Sequence, residues 1–127
     1  MIKANELRIG NLVYFNGSHN EIGDISEIMK NDLNKVAPYK IGINHIIDIY
    51  YDSHKLKPIP LTEEWLLKFG FEIEIGYSHN IAKLGLIRIE FGDNFYFDYL
   101  YGRTKIEYVH QLQNLYFCLT ATELTVA

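Results

Sequence analysis

Hydrophobic and polar positions change rhythm several times along the chain, and each change marks an element. The first rhythm is that of strands. Leu7-Arg8-Ile9-Gly10 leads into Asn11-Leu12-Val13-Tyr14-Phe15, a short run of β-favouring residues. Asn16-Gly17-Ser18-His19-Asn20 follows, and Asn-Gly is a strong hairpin signal because both residues tolerate positive φ. Ile22, Ile25 and Ile28 mark a second strand over residues 21–29, with Gly23 as its expected bulge. Residues 30–40 are polar and hold Pro38, which predicts a loop. Residues 41–51 are dense in Ile and Tyr and predict one or two further strands. Together these predict a small curled sheet of the SH3-like kind.

Pro58-Ile59-Pro60 then breaks the pattern, because proline cannot extend a helix backwards. The spacing predicts a short helix over 62–69. Thr62 is a good N-cap, Glu63 and Glu64 place negative charge on the first turn, and Trp65, Leu66 and Phe69 form one apolar face. Gly70 is placed to end the helix in the left-handed region. A β-meander follows. Residues 71–75 and 87–91 alternate apolar with charged, and Gly92-Asp93-Asn94 supplies a tight turn. Phe95, Phe97, Tyr99 and Tyr101 fall on one face of the returning strand, and Tyr96, Asp98 and Leu100 on the other. Gly102-Arg103 turns into a last strand at 104–108. A closing helix is predicted over 109–120, with Val109, Leu112, Tyr116 and Leu119 on one face, Leu115 alongside, and Gln111, Gln113 and Asn114 elsewhere. Residues 123–126 read as a short turn or strand. The expectation is one α+β domain: a β-rich lobe over 1–57, then a helix–meander–helix lobe over 58–127 with its last helix packed on the sheet.

Composition narrows the functional classes. The 127 residues are 48% apolar and 22% charged, the balance of a chain that folds around a core. The aromatic content is unusual, with ten Tyr and seven Phe beside one Trp. Tyrosine offers an apolar body with a polar tip and suits interfaces. Cys118 is the single cysteine, so no intramolecular disulfide can form, which fits a reducing cytosol. The N-terminus lacks the apolar stretch of a secretory signal, and no apolar run approaches the ~20 residues that span a bilayer; a cytoplasmic location is expected. The net charge of −4 arises wholly from residues 61–127. A mildly acidic half matches basic protein surface better than bare phosphate.

Candidate chemistry is sparse. His19, His45, His54, His79 and His110 lie at least nine residues apart, whereas closed zinc sites usually pair ligands two to four apart. No metal or cofactor is expected. Cys118 and His110 sit eight residues apart in the closing helix, roughly 12 Å at 1.5 Å per residue, too far for proton transfer; Cys118 reads as a small core residue. Glu72 and Glu74 alternate onto one sheet face, the solvent side of an amphipathic strand more readily than a catalytic pair. No Gly-rich phosphate loop is present. These absences point away from an enzyme. The aromatic run from Phe91 to Tyr101 supplies core rings, with Tyr96, Tyr99 and Tyr101 as candidate anchors and Arg88, Arg103 and Lys105 as nearby cations.

Three stretches carry a resemblance: Met1-Ile2-Lys3-Ala4-Asn5-Glu6-Leu7-Arg8-Ile9-Gly10-Asn11-Leu12-Val13, the segment from Pro58 to Phe71, and Tyr108-Val109-His110-Gln111-Leu112-Gln113-Asn114-Leu115-Tyr116-Phe117. In this order they resemble a family of small proteins carried by phages and prophages of Bacteroidetes-group bacteria. The resemblance implies a non-enzymatic inhibitor or modulator of a host defence nucleoprotein, most concretely an anti-CRISPR protein acting on a type VI RNA-guided RNA nuclease. Its partner-binding surface would combine Tyr96, Tyr99 and Tyr101 with Glu72, Glu74, Asp93 and Asp98. Two other readings stay open: single-stranded RNA binding through Arg88, Arg103, Lys105 and Tyr96, and a structural or assembly role in the phage.

Overall fold

The computed structural model describes residues 6–15, 21–30, 39–46, 49–52, 55–99 and 102–126. The class is α+β, with two antiparallel sheets of four and five strands and two helices among the described residues. The chain divides into two compact units, Met1–Ile59 and Pro60–Ala127.

In the first unit β1 (Leu12–Tyr14), β2 (Ile22–Lys30), β3 (Tyr39–Ile43) and β4 (Tyr50–Asp52) form a sheet in sequence order. That order is a plain meander, and the SH3-like detail is not established by it. The core gathers Leu7, Val13, Ile25, Ile41, Ile43 and Leu56, with Phe15, Ile28, Tyr39 and Tyr51 packed against it. The turn that enters β1 needs Gly10, which sits at φ 95°. Beside it Asn11 is fully buried, and its Oδ1 accepts from the Arg8 amide at 2.7 Å, satisfying a backbone donor that burial would otherwise leave costly.

The bulge in β2 lies between Ile25 and Glu27 rather than at Gly23, which pairs regularly with Val13. An extra residue there brings Ile25 and Ile28, three apart, to the same core face. Ile22 stays on the outside of that pattern and is 41% exposed. After β3, Asn44 and His45 both take positive φ, 56° and 60°, and the Ile46 amide donates to the Ile43 carbonyl at 3.2 Å. That is the mirror-image turn that suits a twisted ribbon. The turn is tied to β2, since Asn44 Oδ1 accepts from the Asp24 amide (3.0 Å) and the His45 amide donates to Ser26 Oγ (3.1 Å). The Asn16-Gly17 hairpin signal and most of the predicted 30–40 loop lie outside the described residues.

The second unit opens with α1 (Glu63–Lys68). Thr62 caps it as expected, its Oγ1 accepting from the Trp65 amide at 3.3 Å, and Gly70 follows at φ 92°. Trp65, Leu66 and Phe69 are buried. Strands β5 (Glu72–Ile75), β6 (Asn80–Leu84), β7 (Ile87–Phe91), β8 (Phe95–Tyr99) and β9 (Gly102–Ile106) run in sequence order as one meander. The pattern of polar and apolar residues did not reveal β6. Its outward positions hold Ile81 and Lys83 and its inward ones Asn80, Ala82 and Leu84, so no alternation shows. The last strand ends at Ile106, and Tyr108 bridges back to Pro60.

Helix α2 (Val109–Thr120) has the predicted length but a different buried face. Val109, His110, Leu112 and Gln113 are buried, whereas Phe117 and Leu119 are 39% and 53% exposed. Cys118 is exposed too and is not a core residue. The helix is therefore buried along its first half only. The Tyr108 and His110 rings stack at 5.8 Å, and Gln111 Oε1 accepts from the Glu107 and Tyr108 amides, closing the helix start. Residues 123–126 form neither strand nor turn, though Leu124 is buried. No helix among the described residues is long and apolar enough to cross a membrane.

Candidate functional site

Strand alternation and register decide which side chains share a face. In β7, Ile87, Ile89 and Phe91 are buried and Arg88 and Glu90 face outward. Carrying that parity through the pairing gives an inner face that includes Ala82, Phe95, Phe97 and Ile106, and an outer face of polar residues. On the outer face lie Glu72 and Glu74 from β5, Ile81 and Lys83 from β6, Arg88 and Glu90 from β7, Tyr96 and Asp98 from β8, and Arg103 and Lys105 from β9. The sequence treated the acids and the cations as members of opposing hypotheses. The register places them side by side.

Glu90 is the hub of this face. Its side chain is only 15% exposed, and its carboxylate lies 3.2 Å from Arg103 Nη1, 3.7 Å from His79 Nε2 and 4.0 Å from Arg88 Nη2. Arg88 Nε is also 3.9 Å from Asp98 Oδ2, and Lys83 Nζ is 3.2 Å from Glu74 Oε1. The Arg103 guanidinium sits over the Tyr96 ring at 4.9 Å, a favourable approach of a cation to a π face. A small open hollow of about 160 Å³ lies beside it, lined by His79, Glu90, Asp93, Tyr96 and Arg103 among others.

Asp93 is exposed in the β7–β8 turn, where it lines the same hollow, and the remaining tyrosine candidates fall elsewhere. Tyr99 belongs to the inner face, where it stacks on Phe97 at 5.7 Å and remains 45% exposed at the sheet end. It cannot share a contact surface with Tyr96 across the sheet. Tyr101 lies outside the described residues. Sequence reading missed Lys83 and the central role of Glu90. The first hid in the unrecognised β6; the second needs cross-strand register, which alternation within one strand does not supply.

Among the described residues no group of three His, Cys, Asp or Glu side chains is placed to hold a metal. The outer face carries four carboxylates (Glu72, Glu74, Glu90, Asp98) and four cations (Lys83, Arg88, Arg103, Lys105). It is neutral, finely mixed and laced with ion pairs. No family model, no curated protein and no solved structure matches the chain.

Proposed function

We propose that the chain is a non-enzymatic binding protein whose contact surface is the outer face of the five-stranded sheet. The observation that carries this reading is the convergence of Glu72, Glu74, Arg88, Tyr96, Asp98, Arg103 and Lys105 on that one face. Exposed ion pairs are individually weak, so a partner with its own alternating charges can exchange them for pairs across an interface. Matched charge favours a protein surface over nucleic acid, because phosphate binding draws its strength from cations that release counterions. The resemblance to phage and prophage proteins supports a host defence nucleoprotein as that partner, a type VI RNA-guided RNA nuclease being its most concrete form, met in the bacterial cytoplasm.

The test begins with capture of the tagged protein's partners from host lysate, with and without nuclease treatment, followed by affinity measurement on the purified partner. A protein retained after nuclease treatment, and bound at least tenfold more weakly by E72Q/E74Q/D93N/D98N at unchanged thermal stability, supports the reading. Unchanged affinity of that variant removes it. Direct RNA binding is the second reading, favoured by Arg103 over Tyr96 beside Lys105.

A further inference from the structure

The five strands β5 to β9 leave two edges, and the outer-face rows end differently on each. One row runs Glu72–Lys83–Arg88 by register, crosses to Asp98 through the Arg88–Asp98 ion pair, and ends at Arg103. The next runs Glu74–Ile81–Glu90–Tyr96–Lys105 by register alone. Each row opens on a glutamate at the β5 edge and closes on a cation at the β9 edge. Glu72, Glu74, Arg103 and Lys105 are all exposed. Glu72 and Lys105 enter no ion pair among the described residues, while Glu74 pairs with Lys83 and Arg103 with Glu90, whose side chain is 15% exposed.

From these rows we infer that the β9 edge of one copy docks on the β5 edge of a second copy, extending the sheet head to tail. Both strands are odd members of an antiparallel meander and run in the same direction. A copy displaced along the sheet therefore meets its neighbour in parallel pairing, with the outer faces continuous. Arg103 then stands beside Glu72 of the neighbour and Lys105 beside Glu74 of the neighbour. Ile75, 88% exposed on the β5 edge, is covered by the same step. Joining like edges is disfavoured: two β5 edges oppose four glutamates, and two β9 edges oppose four cations, and like charges across a strand pair are destabilising. Edge charges usually protect a sheet from addition. Here the opposite signs block only the symmetric pairings and leave the unlike one attractive. Such a contact does not close on itself, so it builds open chains of copies rather than a fixed dimer.

Sedimentation or light scattering on the full chain in reductant, at low salt and over a wide concentration range, tests this. The expected result is a mass that climbs past two chains with concentration and falls back as salt is added. E72K/E74K and R103E/K105E are each expected to stay at single-chain mass when alone. Mixed together they regain association, because each then supplies the edge that the other lacks, and that recovery excludes misfolding as the cause of the loss. A wild-type chain that remains single at every concentration overturns the inference. So does association that survives in either variant alone, or a mixture that stays at single-chain mass.

Discussion

At Gly23 a Cβ would run into the Cγ2 methyl of Ile43, a side chain only 1% exposed, and would press on Phe15 and Asn44 as well. The glycine serves close packing rather than the bulge that its place in a strand suggests. Gly23→Ala is therefore expected to destabilise by roughly 1–3 kcal/mol, the usual range for overpacking a core, as read by urea unfolding. The opposite sign is expected at Ala121, which closes α2 in the left-handed region at φ 56°. A left-handed non-glycine residue carries about 1–2 kcal/mol of steric strain, so Ala121→Gly is expected to raise stability by up to about 1 kcal/mol in the same assay. Neither effect is visible in the sequence, because Ala121 depends on backbone geometry and Gly23 on a neighbour from another strand. Thr62 and Gly70, by contrast, were legible, since helix caps are set by local chemistry alone.

Elements were legible where a regular period persists and obscure where it breaks. Strand β7 follows its alternation from Ile87 to Phe91, and α2 keeps its predicted limits. Strand β6 went unread because Ala82 is small and Ile81 faces outward. The spacing of Ile25 and Ile28 looks like no strand until a bulge is placed between them. In α2 the apolar spacing named four residues as a face, yet only Val109 and Leu112 of them are buried, and Gln113 is buried beside them. Leu112→Ala is thus expected to cost about 2–5 kcal/mol, while Leu119→Ser stays within about 0.5 kcal/mol as an exposed substitution; chemical denaturation of the two variants separates these outcomes. An apolar face longer than the surface available to bury it is invisible to periodicity.

Over the whole chain, fold class was readable and the arrangement of the candidate face was not. The sequence shows which residues alternate within a strand, but the neighbours of Glu90 come from β7, β9 and the β5–β6 connection. Register makes the face neutral where one-strand patterns suggested an acidic surface or a basic one. A consequence can be measured in solution: binding to single-stranded RNA is expected to change by no more than about tenfold between 50 and 200 mM salt, where a surface making six to ten phosphate contacts would lose about 10³–10⁵. A steep salt slope in a filter-binding titration would restore the RNA reading. The exposed thiol of Cys118 adds a different consequence for the molecule as a whole. With one cysteine per chain, air oxidation can only join two chains, through helices rather than strands. Such a species is a covalent pair that salt leaves intact and a reducing agent divides.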